Sequence, residues 1–484
     1  MAETIARANG WLSGVVWGPA GLLLLALTGA WLTMRTGFFQ FVRLRHWLGC
    51  TLGAIFTDRA ITAHTGRDEG AISQFQSMCT ALAATIGTGN IVGVATAILS
   101  GGPGAVFWMW VMALLGTMTA YAEELLGIYY RRRDAKGQWI GGPMYYLAEG
   151  LGAKPGCRAL GRGLAALFAL FCVLASFGIG NMSQANAIAG NLEAAFGFSP
   201  ALTGGVLAAG SALVILRGLR QVAAITEKLV PAMALVYLMG AGLVVLTHFW
   251  AVSEALAAIF RGALGLRAAG GGAVGYGVWA ALRWGAMRGA FSNEAGLGSS
   301  VMAGASSNVT EPARQGMWGI FEVCADTLVV CTLTALTILC SGVVDLETGL
   351  PLNGVGPEAL TGAAFSTTFG SLGPAFIALS VLLFAYSTIL GWSHYGATAF
   401  GYLFGPRAVT VYKLVFSALI FVGAVTELGL VWALADTFNG LMMVPNLIGV
   451  LALSGTVARV TQNYLDRTLR GARIPPLRSA TDET

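Results

Sequence analysis

Eleven apolar stretches of about 20 residues each divide this chain, the length of helix that crosses about 30 Å of hydrocarbon. They run near 14–34, 74–99, 104–129, 163–189, 199–216, 226–248, 273–304, 316–340, 372–394, 411–426 and 429–456. In lipid every backbone N–H and C=O must be satisfied internally, which leaves the helix as the solution for segments of this length. The expected fold class is an all-α polytopic membrane protein with about 11 transmembrane helices. Composition agrees, since 56% of residues are hydrophobic and only 11% are charged, against about 25% charge in soluble domains.

The positions of the basic residues orient the spans. With the N-terminus outside, 23 of the 28 Lys and Arg fall in inside segments, as the positive-inside rule requires. Only Arg7, Arg261 and Arg267 fall outside, and Arg283 and Arg288 lie within a span. The first apolar run ends in Trp31-Leu32-Thr33-Met34-Arg35, with no small-residue cleavage site, so it reads as a retained helix and not a signal peptide. The expected organisation is an extra N-terminal helix (1–35), an amphipathic cytoplasmic interfacial segment (36–73), a first five-helix repeat (74–248), an extracellular connection (249–272), a second five-helix repeat (273–456) and a cytoplasmic tail (457–484). Five spans per repeat is an odd number, so the second repeat must be inverted relative to the first. In the interfacial segment Phe38, Phe39, Phe41, Leu44, Trp47 and Leu48 alternate with Arg43, Arg45 and His46, a pattern suited to lying on a membrane surface.

Several function classes are disfavoured. The net charge is +5, but the basic residues flank apolar runs and form no stripe for nucleic acid. Seven cysteines and four scattered histidines show no metal-ligand spacing, and the cysteines read as small apolar packers. A channel would need a ring of repeated charges or carbonyls, and an enzyme a nucleophile–base or metal constellation; neither is visible.

Two stretches carry glycine-bracketed interruptions, Ala84-Thr85-Ile86-Gly87-Thr88-Gly89-Asn90 and Gly289-Ala290-Phe291-Ser292-Asn293-Glu294-Ala295-Gly296-Leu297-Gly298. A matched pair of breaks, one in each half, points to the substrate site of a secondary transporter. Gly87 and Gly89 flank Thr88, and glycine permits close backbone approach and unusual angles; it also suits tight helix packing. Amides freed from Asn90 onward suit a carboxylate. Carbonyls freed around Ala83 to Ile86 suit a cation. Asn181, Ser183, Gln184 and Asn186 punctuate the fourth stretch, and Ser387, Thr388 and Trp392 sit on the ninth. Adjacent hydroxyls can face a hard cation or bond back to their own helix. Glu294 lies in the second break, where an ionisable group points to function. Glu322 and Asp326 stand four apart on the eighth stretch; a structural ion pair with Arg283 or Arg288 is the favoured role, with coupling to an ion or proton as the alternative. Glu123 and Glu124 are expected to cap the inner end of the third stretch.

The runs GTGNIVGVATAILSGGPGAVFWMW (87–110), AEELLGIYYR (122–131), GGPMYYL (141–147), GNMSQANAIAG (180–190), RGAFSNEAGLGSS (288–300), RQGMWGIFEVCADTLVVCTLTALTIL (314–339) and TILGWSHYG (388–396) together resemble the alanine/glycine:cation symporter family. The resemblance implies the leucine-transporter fold, with a 5+5 inverted repeat and two discontinuous helices, and Na⁺-coupled symport of small neutral amino acids by alternating access. Carried over by motif, the Thr88 and Gly89 amides would hold the substrate carboxylate. Asn90, Gln184, Phe291, Thr388 and Trp392 would line the pocket, and Phe291 and Trp392 would limit side-chain size. Sodium would take the carbonyls of Ala83 and Ile86 and the hydroxyls of Ser387 and Thr388. The chain departs from the family pattern at His394 and Ala397 and in the run VMAGASSNV after the second break, toward the cytoplasmic end of the pathway. Proton coupling is the alternative, with Glu294, Glu322 or Asp326 as carriers. The implied partners are a small neutral amino acid and membrane lipid, not nucleic acid, and no feature specifies an oligomer. Four Lys against 24 Arg suggest a GC-rich genome, and the expected location is a bacterial cytoplasmic (inner) membrane.

Overall fold

A computed structural model describes residues 2–62, 70–265, 273–352, 354–427 and 429–480. Parts of the interfacial segment (63–69) and of the expected connection (266–272) lie outside the described residues. The first half comprises α1 (Ala2–Val16), α2 (Pro19–Arg35), α3 (Gln74–Thr85), α4 (Val92–Gly101), α5 (Gly104–Tyr129), α6 (Arg158–Phe177), α7 (Ser183–Phe196), α8 (Pro200–Ile215) and α9 (Leu219–Thr247). There follow α10 (Val252–Leu264), α11 (Ala273–Asn293), α12 (Val301–Gly304), α13 (Pro312–Val323), α14 (Thr332–Cys340) and α15 (Pro357–Phe369). The last four are α16 (Gly373–Phe404), α17 (Val409–Val425), α18 (Gly429–Ala452) and α19 (Ser454–Leu469). A two-residue antiparallel ribbon, β1 (Arg132–Arg133) with β2 (Trp139–Ile140), follows α5.

Seven helical stretches among the described residues are long and apolar enough to cross a membrane. They match seven of the eleven expected spans. The remaining four fall short for physical reasons. The first interrupted span is split into α3 and α4, of 12 and 10 residues. The second begins with α11, whose sequence carries Arg283, Arg288 and several glycines and is less apolar than the rest. The other two, α8 and α17, are apolar helices of only 16 and 17 residues. Elsewhere the boundaries differ. The first span begins earlier than expected and is interrupted at Trp17-Gly18, just before Pro19. The fourth runs from Arg158 to Phe196 through a wide turn at Gly178–Met182. The expected extracellular connection contains α10, and a separate helix, α15, precedes the ninth span. The interfacial segment is a chain of short helical turns. It splits its aromatics, with Phe39 and Trp47 buried against protein and Phe38, Phe41 and Phe56 exposed.

The core is built around α5. Every residue from Gly116 to Tyr129 is buried, so this helix is enclosed on all sides. It carries Glu123 and Glu124, which are fully buried and do not cap an exposed helix end. Small residues let helices approach closely in lipid, where no hydrophobic force drives them together. A Cβ on Gly316 of α13 would lie 2.7 Å from the Tyr121 ring, and one on Gly319 2.8 Å from the Ala120 carbonyl oxygen. Near the end of α5, Arg131 donates to the carbonyls of Ser307 (2.6 Å), Val309 (2.6 Å) and Ala305 (3.3 Å). It thereby ties the chain after α12 to α5.

The α5–α13 contact yields a stability prediction. Gly319→Ala presses a methyl group on backbone and should cost about 1–3 kcal/mol, read as a lowered melting temperature. Gly205→Ala, with nothing within 4 Å of the new Cβ, should leave melting unchanged.

Candidate functional site

The first break is set up by a well-formed helix start and a sudden stop. Ser73 and Gln76 cap α3 reciprocally, at 3.1 and 3.2 Å, a capping box. The helix ends at Thr85, and Ile86 is extended at φ −78°, ψ 93°. Gly87 is also extended (φ −138°, ψ −149°), so no unusual angle requires glycine there. Space does: a Cβ on Gly87 would lie 2.5 Å from Thr388 Oγ1. At Gly89 a Cβ would make only ordinary contact with the Phe291 ring, at 3.4 Å. One turn of 3₁₀ helix, Thr88–Asn90, leads into α4.

The carbonyls released by the break meet the hydroxyls of α16. Ala83 O accepts from Ser387 Oγ at 3.2 Å and from Thr388 Oγ1 at 3.1 Å, and Ile86 O lies 3.5 Å from Thr388 Oγ1. All four residues expected to bind sodium therefore converge. Both hydroxyls also reach back to Phe384 O, at 2.8 and 3.0 Å, so the back-bonding alternative coexists with the convergence. The set is four hard oxygens, the donor type that alkali and alkaline-earth cations take.

A small cavity adjoins this set. Five of the seven expected substrate residues line it: Gly89, Gln184, Phe291, Thr388 and Trp392. Thr88 and Asn90 are not among its walls. The Thr88 amide faces Gln184 Oε1 at 3.5 Å, so an incoming carboxylate would compete with that side chain. Asn90 instead braces the break. Its Oδ1 accepts from the Gly87 amide (2.9 Å) and its Nδ2 donates to Asp326 Oδ1 (2.6 Å). Ile179, Ser292 and Glu294 complete the cavity with Ala84, Thr85 and Gly87. Gly180 leaves no room for a Cβ because the Trp392 indole lies against it.

The second break is a tight turn between α11 and α12. Glu294 (φ 56°), Gly296 (φ 91°) and Gly298 (φ 75°) all occupy the left-handed region. For a glutamate this is strained backbone, and such strain concentrates at functional sites. The turn is held by buried polar bonds. Ser299 donates to Glu294 Oε2 at 2.6 Å and Asn293 to Thr327 Oγ1 at 2.9 Å. Asn446 of α18 donates to both Glu123 and the Gly296 carbonyl, the latter at 2.8 Å. Asn446 carries no signal in the sequence, because it is one polar residue beside Pro445 in an apolar helix.

Among the described residues, the ion pair expected of Glu322 or Asp326 with Arg283 or Arg288 does not form. Arg288 faces Asp436 on α18 at 4.0 Å and lies over the Phe291 ring, 5.5 Å from its centroid. Asp326 is bound by Asn90 and by Thr327 Oγ1 at 2.8 Å. The cause is geometric: α13 and the wide turn after it direct these acids inward, while Arg288 projects toward α18.

The chain matches the sodium:alanine symporter family over residues 2–476. It is 43% identical over 454 residues to a sodium/alanine symporter, AgcS, of Methanococcus maripaludis, covering 94% of this chain and 96% of the relative. It is 36% identical to a probable sodium/glutamine symporter, GlnT, of Bacillus subtilis, covering 96% and 91%. Its fold is similar to that of the manganese transporter of Eremococcus coleocola in a crystal structure of a point mutant, with a TM-score of 0.51 at 14% identity, over 87% of this chain and 85% of that one. The protein is thus a multi-pass transporter of the leucine-transporter fold. It belongs to the sodium:alanine symporter family, whose coupling ion is Na⁺.

Gly87 gives the sharpest test of this geometry. Gly87→Ala forces Thr388 away from the Ala83 and Ile86 carbonyls and should reduce substrate uptake at least ~10-fold, the equivalent of about 1.4 kcal/mol. Pairing it with Thr388→Ser, which removes a methyl group and keeps the hydroxyl free to turn, should restore part of the loss in the same uptake assay.

Proposed function

We propose that this protein couples Na⁺ to the uptake of alanine or glycine across a bacterial cytoplasmic membrane. The observation that carries this reading is the meeting of the Ala83 and Ile86 carbonyls with Ser387 and Thr388 beside the small cavity. Na⁺ takes these four oxygens in place of the hydrogen bonds that now join them. The bound ion then fixes the unwound backbone whose Thr88 and Gly89 amides receive the carboxylate. Gln184 Oε1 gives up the Thr88 amide to the substrate and remains a wall of the pocket. Phe291 and Trp392 bound the side-chain space, which supports alanine over the larger amide named for the Bacillus relative.

Transport proceeds by alternating access between two inverted five-helix repeats, 74–248 and 273–456, with the N-terminus outside and the C-terminus inside. One Na⁺ moving down about 100 mV releases about 2.3 kcal/mol, and a tenfold gradient adds about 1.4 kcal/mol. Together these support about 500-fold accumulation at one ion per substrate.

Labelled L-alanine uptake into proteoliposomes tests the assignment. Uptake that overshoots equilibrium under inward Na⁺, but not under equal inward K⁺ at matched pH, is expected. Ser387→Ala should raise the Na⁺ concentration for half-maximal uptake by about fivefold to tenfold, the effect of losing roughly 1–1.5 kcal/mol at one oxygen ligand. Leucine should fail to compete with labelled alanine. Comparable inhibition by leucine would overturn the size limit set by Phe291 and Trp392.

A further inference from the structure

One helical turn past Trp392, three polar side chains from three helices present atoms with no partner. Among the described residues, Glu124 Oε1 on α5, Glu322 Oε1 on α13 and Tyr395 Oη on α16 have no hydrogen-bond partner. The residues are 0%, 4% and 0% exposed, and they lie close enough to act on one another electrostatically. Gln315, Gly319 and Glu322 share one face of α13, being four and three residues apart. Gln315 Nε2 donates to Glu124 Oε2 at 3.0 Å, and a Cβ on Gly319 would lie 3.1 Å from Glu124 Cγ. The Glu124 carboxyl also fills the space above Gly304 of α12, where a Cβ would collide with it. Native interiors leave few buried polar atoms unpaired, and those that remain call for a ligand or a function.

Among the described residues no Lys, Arg or His forms an ion pair with Glu124, Glu294 or Glu322. The charged groups acting on Glu322 are acids, Glu124 and Glu294. The other titratable neighbours are Cys79 on α3, Cys172 on α6, Glu123 on α5 and Tyr146, which lies between β2 and α6. His394, beside Tyr395, directs its Nε2 to the Met302 carbonyl at 3.2 Å. A buried carboxylate without a partner cation is held only at high cost.

We propose that Glu322, Glu124 and Tyr395 form a proton site, separate from the sodium site, that fills when the pocket closes on its substrate. This rests on the sodium–alanine reading above. A proton needs only one oxygen to hold it and a second to accept from it, whereas Ca²⁺ and Mg²⁺ gather six or more oxygens. No set of three His, Cys, Asp or Glu suited to a metal occurs among the described residues. The site is linked to the pocket on two sides. The rings of Tyr395 and Trp392 meet edge to face, with centroids 5.6 Å apart. Glu124 rests on α12, the single helical turn that follows the second break. Closing the chamber removes water from its carboxyl groups and supplies no counter-charge, so closure takes up a proton. Substrate binding, which closes the pocket, is then favoured at low pH and weakens as pH rises.

The test is L-alanine affinity of the purified protein at saturating Na⁺ between about pH 5.5 and 8.5. Wild-type affinity should weaken by up to ~10-fold per pH unit over part of this range, the slope for one linked proton. Glu322→Gln should abolish that slope. Glu124→Gln, a second isosteric change, should also abolish it and covers failure of the first variant to fold. A flat wild-type profile, or a slope that survives both substitutions, overturns the proposal. An additional Na⁺ dependence removed by Glu322→Gln overturns it in favour of a metal ion. Ser387→Ala should weaken Na⁺ dependence and keep the pH slope. Absence of Na⁺-dependent alanine binding in the wild type overturns the sodium–alanine reading itself.

Discussion

The structure depends on how it satisfies the backbone released at the first break. A carbonyl stripped of its helical partner inside a membrane must find another donor or a cation. Ala83 O and Ile86 O find Ser387 and Thr388, one helix away. That exchange makes the site able to respond to an ion. On the proposed reading, Na⁺ would replace the Ser387 and Thr388 hydroxyls as partner of these two carbonyls, so neither state would leave a buried acceptor unmet. It also explains why Gly87 admits no side chain: the hydroxyl of Thr388 occupies the space a Cβ would take. Asn90 completes the arrangement by spanning the break and tying it to Asp326.

The second break is solved differently. Its backbone is strained at Glu294, Gly296 and Gly298, and the strain is held by bonds from outside the segment. Asn446 reaches both Glu123 and the Gly296 carbonyl, so α18, α5 and the turn move together or lose buried hydrogen bonds. Such bonds contribute about 1 kcal/mol each when made and cost more when left open. A turn of this kind resists small displacements and is suited to two discrete positions.

Much of this is legible in the sequence because membranes impose simple rules. Span lengths, the two glycine-bracketed breaks and the Ser387-Thr388 pair are local patterns. Five of seven expected pocket residues line the cavity for the same reason: each lies on a break or on a polar face of an otherwise apolar helix. What the sequence does not carry is direction in the third dimension. Asn90 belongs to the motif but points to Asp326, away from the cavity. Glu322 and Arg288 are compatible in charge, yet their helices face different neighbours, and Arg288 meets Asp436 instead. Glu123 and Glu124 read as caps of the inner end of the third stretch. The helix continues past them into a fully enclosed position, which only its packing against α13 and α18 reveals.

The closures on either side of the cavity differ in strength, and that difference bears on which side opens first. Arg288 covers Phe291 and meets Asp436 at 4.0 Å, with side chains 15% and 25% exposed. Partly hydrated pairs at that separation contribute little, typically about 0–1 kcal/mol. Arg131, in contrast, makes two bonds of 2.6 Å and one of 3.3 Å to backbone carbonyls beyond α12. Charge-assisted bonds of that length are among the strong ones, and breaking them would leave three carbonyls in need of partners at once. Under the proposed topology Arg131 lies inside and Arg288 toward the outside. On the proposed alternating-access reading the outer contact is then the weaker one, which would favour outward opening of an empty protein. That is the order a symporter needs if external Na⁺ and substrate are to bind before the inner side is released.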